Sequence, residues 1–388
     1  KDGIQPVQMQ VNENDKVEIK KVYLGLVMLY EDKKEIIPVI QMTAGLEYLI
    51  STKIKSLIDI DKKTIGLVHL NSENEMETDN LSTQLSQHYN FRNVDLSTSD
   101  AGDVDVLLVS GATDTLDSIV RKNLDLFLSS GKSVFISQSG VDADIQSQQV
   151  DVIQSDIFDF LGGYNLNLQK NLVLDKKCGS VSVRERRGIF MMNRAMEYPF
   201  FPIVDSFNKD EVVVSEIEQA MLFFPSEIKI DTSENELLAG TVELFRSSEN
   251  SGIMEGNWSL SPDPTQNPFI RMLGQKGKIL AATSKLVNGG ELMVISDSKF
   301  LADQSGMTVP DNLVFIMNAV DYLAGDEELI SLRSREITSR PLQEIEDSTK
   351  KGWKWANMLL PSILIIGLGF IQLRNENKRA DVLRQIYD

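Results

Sequence analysis

The chain has 388 residues, of which 42% are hydrophobic and 25% charged, with a formal net charge of −18. That length buries ordinary cores and suits about two folded units, while the acidic balance repels nucleic-acid phosphate and anionic lipid headgroups, so no nucleic-acid partner is expected. A single cysteine, Cys178, excludes an intrachain disulfide and a cysteine-rich zinc site.

The sequence opens at Lys1 without a basic-then-apolar leader, so the natural start is expected to lie upstream. Over residues 1–41 the signal is β. Val7, Met9 and Val11 alternate, Val22–Tyr30 is an apolar run, and Ile36–Ile40 follows a charged turn at Glu31–Lys34, which together predict a meander. Leu46, Leu49, Ile50, Ile54 and Leu57 then recur at helical spacing and predict a connecting helix, a candidate hinge into the next domain.

From Lys63 strands alternate with helices. The predicted elements are a strand Ile65–Leu70, a helix Thr78–Tyr89, a strand Val104–Val109, a helix Leu116–Leu128, a strand Val134–Ser137 and a helix Val152–Leu161 stopped by Gly162 and Gly163. In the second of these helices Leu116, Ile119, Val120, Leu124, Phe127 and Leu128 form one apolar stripe, with Asp114 or Thr115 as N-cap and Gly131 at the end. Residues 170–285 read as mixed structure with inserted strands, including short apolar runs at Glu211–Val214 and Ile279–Ala282 and a proline-rich stretch at Ser261–Pro268. A strand Glu291–Ser296 and a helix Asn312–Ala324, ended by Gly325, complete the predicted sheet.

Residues 326–352 read as a solvated linker. It leads to Trp355–Leu373, 19 residues without a charge, close to the roughly 20 that cross hydrocarbon as a helix. Trp353 and Trp355 sit where interfacial aromatics are favoured, lysines and arginines flank both ends, and Pro361 is a possible kink, so a transmembrane anchor ending at Leu373 is expected. Basic residues near the two ends tie at four each. The body up to Leu373 carries −19, and that asymmetry favours a cytoplasmic tail.

Tests for chemistry find little. A phosphate-cradling loop needs glycines followed by Lys and a hydroxyl residue, and Gly274-Gln-Lys-Gly-Lys278 lacks both spacing and hydroxyl. A nucleophile on a sharp strand-to-helix turn needs flanking glycines and a nearby imidazole. Ser137-Gln-Ser-Gly140 lacks the first glycine, and only His69, at the end of a strand, and His88, expected on a helix surface, could serve as base. A hydrolase or amidotransferase would have to combine Ser110, Ser137 or Ser139 with His69. Cys178 has no signal for a lowered pKa and is expected to be a buried, inert thiol. Asp103 and Asp105 are expected to mark the start of a strand, and Asp142 and Asp144 a surface turn, rather than a calcium loop. No cofactor and no metal are expected. On an open α/β sheet ligands bind beyond the carboxyl ends of the strands, which makes Ser110-Gly111, Ser137-Gln138 and Ser296-Asp297-Ser298 the candidate ligand loops.

Four strings carry a family resemblance: Gly3-Ile-Gln-Pro-Val-Gln8, Tyr23-Leu-Gly-Leu-Val27 with Glu35-Ile-Ile-Pro-Val-Ile40, the run from Gly289 to Asp303 (GGELMVISDSKFLAD), and the run from Asn318 to Arg335 (NAVDYLAGDEELISLRSR). Together they resemble the gliding-motility-associated ABC transporter auxiliary family, often called GldG. The resemblance implies a large extracytoplasmic region held by terminal membrane helices beside a separate ATPase and a multispanning permease. It also implies a central domain similar to class I glutamine amidotransferases and to an intraflagellar transport protein domain, without the catalytic cysteine. Members carry a membrane helix and a further domain before the Gly-Ile-Gln-Pro string, so this chain is expected to be a fragment.

The resulting expectation is an α/β chain with a class I glutamine amidotransferase-like, flavodoxin-like open sheet at 61–330. A β-rich segment at 1–60 precedes it, and a linker at 331–352, a transmembrane helix at 353–373 and a cytoplasmic tail at 374–388 follow. The expected role is a non-enzymatic, inner-membrane, mainly periplasmic subunit partnered by ABC permease and ATPase subunits. A solute-binding component is the alternative.

Overall fold

The structure is a computed structural model. It describes residues 3–13, 16–40, 46–58, 62–70, 77–187, 190–215, 217–263, 265–327, 329–330, 349, 352–361, 363, 365–369, 372 and 374. Two compact units are present, Lys1–Glu336 and Ile337–Asp388.

The N-terminal segment is β as expected, but it forms two separate hairpins rather than one meander. Pro6–Glu13 pairs with Lys16–Tyr23, and Leu26–Tyr30 pairs with Lys33–Ile37 across a turn in which Glu31 takes φ 50°. Helix α1 (Leu46–Ile58) follows. It is bracketed rather than loose. Lys53 Nζ and Ser56 Oγ hold the Glu35 carboxylate at 2.8 and 2.9 Å, and Lys55 pairs with Asp326 on the other side.

The body is one ten-stranded sheet: β1 (Thr64–His69), β2 (Asn90–Asn93), β3 (Val106–Ser110), β4 (Ser133–Ser137), β5 (Leu166–Leu168), β6 (Ser206–Phe207), β7 (Ile228–Ile230), β8 (Leu238–Arg246), β9 (Ile279–Leu286) and β10 (Glu291–Ile295). Its spatial order is β5-β7-β9-β10-β4-β3-β1-β2, with β8 pairing β9 and β6 pairing β8. The five strands β2-β1-β3-β4-β10 are parallel, and the rest join antiparallel through β9.

Parallel strands covered by helices are apolar on both faces, which explains the unbroken runs VLLVS and ELMVI. Alternate residues serve alternate cores. Ile65, Leu67, Val106, Leu108, Phe135, Met293 and Ile295 pack with α2 (Asp79–Ser86) and α5 (Pro310–Leu323). Leu107, Val109, Val134, Ile136, Leu292 and Val294 pack on the other face with α3 (Ser118–Ser129) and α4 (Ile157–Gly162). Phe315 of α5 centres the first core, with ring centroids 5.5 Å from Phe245, 5.9 Å from Phe300 and 6.3 Å from Phe135. A third cluster around Tyr198, Phe200, Leu172 and Met254, joined by Val141 and Ala143, lies largely in the stretch 170–285 and was not foreseen as a core of its own.

Several local expectations are corrected. Asp117, not Asp114 or Thr115, caps α3, its carboxylate accepting from Ile119 N, while Gly131 does leave the helix at φ 84°. The helix predicted over Val152–Leu161 is confined to Ile157–Gly162, because Gln149–Val152 pairs as a strand with Val141–Asp144. Glu211–Val214 yields a 3-10 turn at Val212–Val214. Strand β2 was not anticipated: Asn-Phe-Arg-Asn has no alternation and is extended because it pairs with β1.

The described residues of 352–374 are helical and exposed, Trp353, Trp355 and Pro361 among them. Among the described residues no helix is long and apolar enough to cross a membrane, so the expected transmembrane helix is unsupported there. Leu373, the linker residues 331–348 and the tail from 375 lie outside the described residues.

Candidate functional site

The parallel strands deliver their carboxyl ends, and with them the candidate loops, to one edge of the sheet. The structure brings these loops together and fastens them to one another. Ser137 Oγ, at the end of β4, donates to the Asp297 carbonyl beyond β10. Gln138 turns its amide onto Ala112, accepting from Ala112 N at 2.6 Å and donating to Ala112 O at 3.0 Å and Ser139 O at 2.7 Å. Ser139 Oγ and Ser298 Oγ lie 2.7 Å apart, and Ser298 Oγ also accepts from Ser139 N at 2.8 Å. Gly111 is squeezed between the β4 and β10 loops: a Cβ there would stand 2.9 Å from Ser298 Oγ and 3.0 Å from Ser137 O.

Asp297 is the electrostatic centre of this edge. It is fully buried, and its carboxylate accepts from Phe223 N and Lys299 N, each at 2.8 Å. Burial pushes its pKa up to about 7, against the opposing pull of those two donors and the Lys299 charge. Ser296 Oγ is buried beside it without a hydrogen bond. Gly140 carries the knit into the inserted region. Its N–H donates to Ser226 Oγ at 2.8 Å, which donates to Asn171 O at 2.6 Å.

This arrangement is a seal more than a cleft: Ser137, Gln138, Ser296 and Asp297 have no exposed surface, and their polar groups mainly face backbone. The nucleophile tests can be followed through the same contacts. Ser110 is the serine that meets an imidazole, Oγ lying 3.3 Å from His69 Nδ1 and 3.3 Å from the Val68 carbonyl, but it is 3% exposed. A nucleophile on a sharp turn presents its hydroxyl to solvent instead.

The other singled-out residues stand apart. His88 lies in the turn after α2, not on the helix, and lines a 180 Å³ cavity with Lys55, Lys62, Lys63 and Asp326. The half-buried Cys178 thiol is pushed up to about 11, chiefly by burial and then by the Glu197 charge. Asp105 accepts from Thr64 N at 2.7 Å at the start of the sheet, and Asp103 pairs with Arg92. Asp144 closes a surface turn through Gln146 N and Ser147 Oγ, both at 2.8 Å, and Asp142 lies 3.6 Å from Lys299 Nζ. Among the described residues no group of three or more His, Cys, Asp or Glu could hold a metal ion.

The open space at this edge is elsewhere. A crevice of about 500 Å³ lies beyond β1 and β2, lined by His69, Asn93, Asp95, Ser97, Thr115 and Asp117. It sits where the chain order of the parallel strands reverses between β1 and β3. Of its polar residues sequence reasoning singled out His69, and Thr115 only as a helix cap; Asn93 belongs to the missed strand β2, Asp95 and Ser97 follow that strand, and Asp117 takes the cap that was assigned to its neighbours. The signal that could have found them is Asp95-Leu-Ser97, in which the carboxylate accepts from Ser97 N and Oγ in an Asx turn.

Comparison with known proteins supplies the remaining observation. An uncharacterized protein of Borreliella burgdorferi is 24% identical over 408 residues, covering 97% of this chain and 78% of that protein. Among solved structures, the mmIFT52 N-terminal domain matches with a TM-score of 0.45 and 13% identity, covering 67% of this chain and 97% of that one. The family model ABC_transp_aux, described as an ABC-type uncharacterized transport system, matches residues 62–319. That span takes in all ten strands of the sheet and most of α5, and the chain belongs to this ABC-type transport family.

Proposed function

We propose that the chain is a non-enzymatic, membrane-anchored accessory subunit of an ABC-type transport assembly, of the gliding-motility GldG type. Its acidic body lies on the periplasmic side of the inner membrane, docks on the permease and relays ATP-driven motion or presents cargo. The family assignment over 62–319 carries the transport role. The sealed edge supports a docking part over an enzyme, because the Ser110, Ser137 and Ser139 hydroxyls each donate to a backbone carbonyl. The uncharged stretch Trp355–Leu373 supports the anchor, and the parallel order β2-β1-β3-β4-β10 supports the flavodoxin-like, amidotransferase-type reading of the sheet. The decisive experiment is detergent co-purification of the full-length protein from its own membranes. Recovery with an ATPase and a permease is expected, and recovery as a lone monomer overturns the proposal.

A solute-binding role is the second reading, favoured by the 500 Å³ crevice beside His69. Native mass spectrometry of the purified protein is its test. A retained small molecule lost on replacing Asn93 and Thr115 supports it, and a bare mass with no thermal shift across a metabolite panel discards it.

A further inference from the structure

Cys178–Arg187 and Phe190–Val204 form a long antiparallel hairpin, paired outward to Arg187↔Phe190. Its root is fixed: Tyr198 and Phe200 sit in the third core, Tyr198 Oη donates to Leu260 O at 3.0 Å, and Ile203 and Val204 gain a third strand. Beyond the root it is a bare two-stranded ribbon among the described residues, exposed at Ser182, Val183 and from Met191 to Ala195. Such a ribbon is marginally stable in water by itself. Met191 and Met192 nevertheless show 66% and 55% of their surface to solvent.

The composition of this end differs from the rest of the chain. Over residues 183–194 four arginines stand against one glutamate, a local +3 in a protein of −18, and Phe190, Met191 and Met192 are contiguous. The register sets Met191 opposite Arg186, Met192 opposite Glu185 and Phe190 opposite Arg187, and the exposed Met191 and Met192, adjacent along the strand, fall on opposite faces of the ribbon. A protein groove covers one face of a ribbon; a fluid lipid surface covers both.

We propose that the end of this hairpin dips into a lipid surface bearing anionic headgroups. Aromatic and thioether residues suit the acyl boundary, and arginines level with them in the register (Arg186, Arg187) and behind them (Arg184, Arg194) supply the positive charge that headgroup phosphates attract. Each arginine near such a surface is worth roughly a fivefold change in partition. The acidic body does not prevent this, because the eight residue steps from Tyr198 to Phe190 span roughly 25 Å as a strand, several screening lengths. The inference rests on the function proposed above in needing a bilayer beside the body.

The test uses the full chain with Cys178→Ser and an environment-sensitive fluorophore on Met192→Cys, with Lys122→Cys on the α3 surface as control. Vesicles of phosphatidylcholine with phosphatidylglycerol, carrying nitroxide on the acyl chains, are expected to quench the label at 192 and not the one at 122. The triple substitution Arg184→Glu, Arg186→Glu and Arg187→Glu removes that quenching. A label at 192 that stays open to aqueous iodide with every vesicle overturns the proposal, as does one shielded only by an acidic protein in the absence of lipid. Association that survives a carbonate wash reports the anchor separately: tip quenching without it leaves this inference standing while removing the anchor, and the reverse removes the inference alone.

Discussion

Asp297 is where one side chain decides the most. A buried carboxyl whose folded pKa is raised holds a proton that the unfolded chain has already released between about pH 4 and 7. The folded state therefore binds more protons in that window, and this group's contribution to stability falls as pH rises through it. Asp297→Asn keeps the shape but turns an amide N–H toward the Phe223 or Lys299 N–H donor. It is expected to cost about 1–3 kcal/mol at acidic pH, where the native carboxyl is neutral, and less at pH 8. Urea unfolding of both proteins at pH 5 and 8 checks this, and a cost that does not shrink with pH contradicts the buried, proton-holding carboxyl. Gly140 makes a purely steric prediction, since a Cβ would stand 2.0 Å from the Gln169 carbonyl. Gly140→Ala is expected to lose about 3 kcal/mol or more. Gly102→Ala, whose Cβ would approach nothing closer than 3.4 Å, serves as the mild comparison in the same melt.

Among elements, α1 is the one whose role changes most between sequence and structure. Its periodicity suggested a hinge. The folded helix is instead fastened to the Lys33–Ile37 strand through Glu35 and to the residues after α5 through Asp326, which Lys63 also approaches at 3.5 Å. Asp326 is 11% exposed and the lysines about a third, so the pairing is screened and is worth less than a buried bridge. Asp326→Ala leaves two like charges facing each other and is expected to cost about 1–2 kcal/mol. Hydrogen exchange should quicken at α1 amides while β3, β4 and β10 keep their protection, and uniform loosening would refute a local clasp. The central strands were legible because burial on both faces writes unbroken apolar runs, and α3 and α5 because each has a stripe and a terminal glycine. What stayed hidden depends on partners distant in sequence: β2 is a strand only beside β1, and Gln149–Val152 only beside Val141–Asp144. At the candidate site, position was legible and purpose was not. The loops after β3, β4 and β10 do converge, but nothing local tells that Ser137 and Gln138 would turn their polar groups onto Asp297 O and Ala112.

For the whole molecule, the dominant number is the charge. With 57 acidic residues against 39 basic ones, compaction brings like charges together. At low ionic strength that repulsion amounts to several kcal/mol (on the order of 5) for a body this size, and it fades as the screening length shortens from about 30 Å at 10 mM to 8 Å at physiological salt. Salt also weakens ion pairs such as Arg121–Asp156, Lys177–Asp205 and Lys285–Glu211, but each is partly exposed and is worth at most about 1 kcal/mol. The two effects have opposite signs, and the magnitudes favour the global one. The thermal midpoint is therefore expected to rise by a few degrees when sodium chloride is raised from low millimolar to physiological strength. A midpoint that falls would mean that paired charges outweigh the field of the acidic body. The same field bears on the assembly proposed above: a partner surface of positive charge would be steered onto this body, and the rate of such an association is then expected to drop steeply over the salt range in which the free chain becomes more stable.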